Sequence, residues 1–291
     1  MYRLICVFIL LSIVSSAQII RGKIVDQGTK STLPYVGIGI VHTNIGTLTN
    51  DKGYFKLDIT HVDSLDTLVI SNIGYIPIII PLSDYKKYKN SNDSIFELEP
   101  KSETLNECII TAGKQKNIII GNTVKSGVIC VGFSSNELGT EVGTVLKYHR
   151  KKVGKIQNLN FNLLDYGYDS SLFRINIYKY RNGKIGEPAL KNPLYLKISA
   201  KNQSRVQSID LRDSNIYINT DVILCLEWVK NYKNSDDLDY ALDSLQTQGI
   251  DKIHFCASFL GNDSYIRKGC AGDWKKCPVC IGFWATVTVN K

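Results

Sequence analysis

The 291-residue chain carries 35 Lys and Arg against 27 Asp and Glu, a formal net charge of +8, and 44% of it is hydrophobic. The basic residues are scattered in small groups, Lys86-Lys87, Arg150-Lys151-Lys152 and Lys275-Lys276, a pattern that favours solubility and weak attraction to acidic polymers. With no basic arm, nucleic acid is excluded as the expected partner. Past the first residues no apolar run approaches the roughly 20 residues of a spanning helix.

Met1 to Ala17 reads as a signal peptide: Arg3, the apolar run "LICVFILLSIV", then the small residues Ser15-Ser16-Ala17. The chain is therefore expected to be exported, to the periplasm, the outer membrane or the medium, with no membrane span after cleavage. From Ile19 onward short runs alternate with period two, "IIRGKIVD", "YVGIGIV", "GYFKLDI", "DTLVISNIGY", "IPIIIPL" and "SIFELEP", separated by Gly, Asp, Asn and Pro at the spacing of an all-β sandwich. In "IGTLTNDKGYFKLDI" the Asp51-Lys52-Gly53 corner is expected to be a hairpin turn, with Gly53 taking a positive φ. A calcium loop needs more oxygen ligands at alternate positions than Asn50 and Asp51 supply.

A linker is placed at residues 101–126, dividing residues 18–100 from residues 127–291. The second part again predicts strands, among them "IQNLNFNLLDY", "LFRINIYKY", "VQSIDL", "VILCLEWV", "IHFCASFL" and "IGFWATVTV". A single helix is expected, after Ser235 with Asp236 and Asp237 in its first turn and Gly249 as its stop. The predicted fold class is all-β, an N-terminal sandwich followed by a second, jelly-roll-like β-sandwich.

Residues 19–99 resemble the carboxypeptidase regulatory-like domain. The likeness rests on the opening strand at Gly22 to Asp26, "LPYVGIGIV" at Leu33 to Val41, "GTLTNDKGYF" at Gly46 to Phe55 and "SNIGY" at Ser71 to Tyr75. It implies a seven-stranded transthyretin-like sandwich acting as an accessory module, of the kind found beside peptidases and at the front of TonB-dependent transporters. "LNECIITAGK" at Leu105 to Lys114 resembles the segment that follows the module there. The resemblance carries no peptidase activity across: none of the four His forms a His-x-x-Glu pair, and His-Glu-x-x-His and Gly-x-Ser-x-Gly are absent.

Candidate site residues then fall in the second part. Glu227 is an acid in a strand apolar on both faces, so it is either a general acid with a raised pKa or a carboxylate tied to a nearby cation. Asp165 and Asp169 lie in a loop-like stretch. Tyr178, Tyr180, Trp228 and Trp274 are candidates for a sugar-stacking surface, or else core. His254 is a strand histidine that reads as packed or surface rather than as a ligand. Export leaves seven Cys, and "GCAGDWKKCPVC" gathers Cys270, Cys277 and Cys280 as disulfide candidates. Cys256 with that trio forms the alternative, a zinc site; Cys108 is the expected free thiol. No cofactor and no catalytic residue are expected. The predicted function is a non-enzymatic binding module of the cell envelope whose partner is an envelope protein or glycan; the alternative is a carbohydrate-binding or carbohydrate-active second domain.

Overall fold

The structure, a computed structural model, describes residues 18–88, 94–101, 114–124, 129–134, 138–166, 170–199, 205–232, 252–261 and 263–290. The expected leader, the helix after Ser235, Cys108 and Asp169 lie outside these residues, as does the side chain of Asp165. Among the described residues no helix is long and apolar enough to cross a membrane. The chain is almost entirely β.

Seven strands build the N-terminal sandwich: β1 (Ile19–Asp26), β2 (Gly37–Ile40), β3 (Gly46–Leu48), β4 (Tyr54–Asp58), β5 (Thr67–Ser71), β6 (Ile78–Pro81) and β7 (Ser94–Leu98), with a short helix α1 (Leu82–Tyr88) before the last. They form two sheets, β4-β1-β7 and β3-β2-β5-β6. Alternation decides what faces inward. Ile20, Ile24, Phe55, Leu57, Phe96 and Leu98 from one sheet meet Ile38, Ile40, Leu68, Ile70 and Ile80 from the other in a closed apolar core. The Asp51 corner is the expected hairpin. Asn50 Oδ1 accepts from the Lys52 and Tyr54 amides at 3.0 and 2.9 Å, and Gly53 has φ +80°. A Cβ there would sit 2.8 Å from the Ile24 carbonyl oxygen, so both the turn and the close approach require glycine.

The second sandwich comprises β8 (Gln115–Gly121), β9 (Ile129–Ser134), β10 (Glu141–Leu146), β11 (Gly154–Tyr166), β12 (Ser170–Arg181), β13 (Lys184–Pro188), β14 (Leu194–Ser199), β15 (Val206–Asp210), β16 (Tyr217–Ile218), β17 (Val222–Tyr232), β18 (Lys252–Ser258), β19 (Ser264–Arg267), β20 (Lys275–Cys277), β21 (Cys280–Ile281) and β22 (Phe283–Asn290). One sheet runs β13-β12-β17-β10-β19-β20 with β14 beside β12; the other runs β21-β18-β11-β22-β8 with β9, β15 and β16 added. Between them lies the larger core, centred on Phe133, Phe161, Phe173, Trp228, Phe255 and Phe283. Part of the predicted linker is strand: β8 pairs along its length with β22. Its pattern, with only Ile120 buried, left a weak period-two signal.

Candidate functional site

The outer face of the sheet containing β12, β17, β10 and β19 carries a row of charges set by register. Arg174 on β12 lies opposite Glu227 on β17. Glu227 lies opposite Glu141 on β10, and Glu141 lies opposite Arg267 on β19. Two carboxylates face each other in the middle, and a guanidinium flanks each. Like charges directly opposite repel; here the order of strands supplies the compensating cations. Asn176 sits one pleat from Arg174 on the same face, and its Nδ2 donates to Glu141 Oε1 at 2.7 Å and to Glu227 Oε2 at 2.9 Å, bridging the two acids.

Glu227 and Arg174 form a bidentate pair, Nε to Oε2 at 2.9 Å and Nη2 to Oε1 at 2.8 Å. Their side chains are 5% and 6% exposed. A pair this deep is costly to assemble, and removing one partner costs about 3–5 kcal/mol because the other charge is then buried alone. At the far end Arg267 Nη2 donates to Glu141 Oε2 at 2.6 Å and to the Tyr178 hydroxyl at 3.0 Å. Its guanidinium carbon lies 4.6 Å from the Trp274 ring centre. Burial raises the Glu141 pKa, with Arg267 opposing and Glu227 reinforcing the shift.

The row is closed over by the N-terminal sandwich, and the contacting residues come from its turn and glycine segments. Arg174 Nη1 donates to the Tyr35 carbonyl at 2.7 Å and to Asn72 Oδ1 at 3.2 Å. Asp51, from the hairpin corner, accepts from the Tyr35 hydroxyl and from Lys230 Nζ on β17. Gly37 and Gly39 lie on the outward side of β2, and Gly46 opens β3. Added Cβ atoms at Gly39 and Gly46 would approach the backbone of Ala271 and Gly269 to 2.8 and 2.7 Å. The loop of residues 268–273 lies flat on that glycine surface, and the His42 amide donates to the Ala271 carbonyl at 3.3 Å.

This geometry relocates the cysteine trio. None of the six described cysteines is disulfide-bonded, in contrast to the expected bridge. Cys270 is a plug in the seam: its thiol donates to the Thr47 carbonyl at 3.3 Å and lies where a Cβ on Gly139 would be only 2.6 Å away. Burial pushes that thiol up to about 12, which leaves it protonated and inert. Cys277 and Cys280 separate because the turn between them crosses from one sheet to the other. Cys277 on β20 pairs opposite Ser264, and Cys280 on β21 pairs opposite Ser258. Nor do Cys256, Cys270, Cys277 and Cys280 converge; among the described residues no His, Cys, Asp and Glu cluster suits a metal, and His254 lies on β18 opposite Gly132.

The sugar-stacking candidates are also placed. Trp228 points into the main core, 0% exposed, with Nε1 donating to Asn231 at 2.7 Å. Tyr178 is buried beneath Trp274, their rings 5.8 Å apart at 73°. Tyr180 and Tyr265 share a hydroxyl contact of 2.8 Å. Tyr178 and Tyr180 do share the outer face, as alternation predicts, but Tyr178 turns no ring to solvent. Of the network, sequence reasoning singled out Glu227 and two of the aromatics. Arg174, Asn176, Glu141 and Arg267 went unremarked, though Arg174 and Asn176 share the face of Tyr178 in "LFRINIY".

Residues 20–110 match the family model of the CarboxypepD_reg-like domain. The segments that build the seam on the N-terminal side, around Tyr35, Gly46 to Asp51 and Asn72, all lie inside this match. No curated protein matches the chain. Among solved structures, the clostridial cysteine protease Cwp84 after propeptide cleavage matches with a TM-score of 0.38 and 8% identity, over 94% of this chain and 71% of that one. The cysteine protease and lectin-like domains of Cwp84, a surface layer associated protein of Clostridium difficile, give 0.39 and 9%, over 89% and 59%. The VP2 subviral particle of infectious bursal disease virus gives 0.23 and 8%, over 93% and 62%. None of these likenesses is close enough to carry an argument.

Proposed function

We propose that the chain is an exported, non-enzymatic protein of the cell envelope in which the CarboxypepD_reg-like domain is an accessory module fixed to the second sandwich, the whole serving to bind an envelope protein or glycan. The carrying observation is that Glu227 and Glu141 are both consumed: each is buried, each is paired to an arginine, and Arg174 is itself closed over by the Tyr35 carbonyl. A general acid needs a path to substrate. Both carboxylates are buried and each is held by an arginine, an arrangement that suits a docking seam.

Purified protein incubated with insoluble envelope polysaccharides, and separately with fluorogenic peptide and glycoside substrates, tests the reading. Retention on a polysaccharide or on an immobilised envelope protein without product release is expected. Product formation that Glu227→Gln abolishes at unchanged melting temperature would overturn it in favour of a carbohydrate-active enzyme.

A further inference from the structure

Cys130 on β9 and Cys256 on β18 occupy directly opposed positions of an antiparallel pair. Phe133, Ile253 and Phe255 point into the main core and Val131 packs against it, so the pleat puts both cysteines on the other face of the sheet. The kind of pairing follows from the backbone. The Cys256 carbonyl accepts from the Gly282 amide at 2.7 Å, on the β21 side of β18. A residue's N–H and C=O point the same way in an antiparallel strand, so Cys256 makes no ladder bond to β9. Cys130 and Cys256 are therefore a non-hydrogen-bonded pair. Such pairs hold their Cα atoms at about 4.5 Å with side chains close, within the span of about 4.4–6.8 Å that a disulfide bridges. Cys130 is exposed and Cys256 buried, so a dissolved disulfide reaches Cys130 first.

We propose that Cys130 and Cys256 form a dithiol site that is oxidised, by exchange with a disulfide of the glutathione or protein-oxidoreductase class, to a cross-strand disulfide tying β9 to β18. The chemistry balances in two steps. The Cys130 thiolate attacks the incoming disulfide, forming a mixed disulfide and releasing one thiol. Cys256, whose pKa burial raises, gives its proton to the released thiolate or to solvent as its sulfur attacks the Cys130 sulfur, closing the intramolecular bond and releasing the second thiol. Two electrons and two protons pass from the protein to the reagent, which leaves as two thiols. The product has a structural use: among the described residues β9 pairs with β18 alone, the position of an edge strand, and such edges are prone to fray or pair elsewhere.

The test is incubation of the folded full chain with glutathione disulfide, alkylation under denaturing conditions, and non-reducing peptide mapping. Loss of alkylation at Cys130 and Cys256 together, with one linked peptide that dithiothreitol opens, is expected; Cys130→Ser is expected to yield no link. A second reading is hydrogen exchange at the β9 amides, expected to slow on oxidation of the parent and to stay unchanged in Cys130→Ser. Full alkylation at both positions, glutathione retained on Cys130 without closure, or a link from Cys130 to a different cysteine would overturn the proposal.

Discussion

Asp51 shows how one side chain serves two structures. Its position in the hairpin corner is set by local turn chemistry, while its carboxylate reaches Lys230, whose side chain is 9% exposed. Burial is the largest single influence on Asp51 and pushes its pKa up. The hydrogen bonds from Lys230 and Tyr35 together outweigh it and hold the group below the ordinary 3.8. A carboxyl whose folded pKa is depressed contributes stability that is fully present above its unfolded value and is lost as pH falls through the folded one. The seam is therefore expected to loosen as pH drops below about 3.8, and Asp51→Asn, which leaves the Lys230 ammonium unpaired, to be less stable at neutral pH and to lose part of that acid dependence. Melting temperature against pH for the two proteins checks this; superimposable curves would contradict it. Glu227 was legible as a buried acid because its strand is apolar on both faces. Its partner was not, since Arg174 lies 53 residues away and no local pattern reports register.

At the scale of elements, glycine decides where the two sandwiches touch. Gly53→Val forces a β-branched residue into positive φ and against the Ile24 carbonyl, costing about 1–3 kcal/mol for the strain alone, and it acts on the N-terminal core. Gly39→Val leaves φ unstrained and instead strikes the Ala271 backbone, so it is expected to destabilise by about 1–3 kcal/mol as overpacking does while leaving an isolated N-terminal sandwich intact. Chemical denaturation of the full chain and of residues 18–101 separates them: Gly53→Val lowers both midpoints, Gly39→Val only that of the full chain. Equal effects of Gly39→Val on the two would contradict the seam. The strands that sequence reading found are those with clear alternation, such as β1, β4 and β12. It passed over β10, which is buried throughout and, unlike the long apolar β17, is a six-residue run that Glu141, Gly143 and Thr144 interrupt, so neither a period nor an apolar stretch marks it. It also passed over β20 and β21, too short to show one, and the Cys277–Cys280 turn hid a change of sheet.

Among the described residues each sandwich has its own apolar core, a smaller cluster around Tyr178, Ile223 and Tyr265 lies on the outer face of the second, and polar groups join the two sandwiches. Two-sandwich composition was readable from the spacing of turns and from the resemblance of residues 19–99 to the carboxypeptidase regulatory-like domain. The seam was not, because it is assembled from residues far apart in the chain whose meeting depends on strand order. The Arg174–Glu227 pair fastens the CarboxypepD_reg-like domain to the second sandwich. Truncating Arg174 leaves Glu227 buried without its partner and removes the donors to Tyr35 and Asn72, a loss of about 3–5 kcal/mol for the broken pair. Differential scanning calorimetry of the parent chain and Arg174→Ala tests this most directly. One cooperative transition is predicted for the parent, and for the variant an earlier onset that resolves into two transitions as the sandwiches melt separately. A single transition at the parent's temperature in Arg174→Ala would contradict the account.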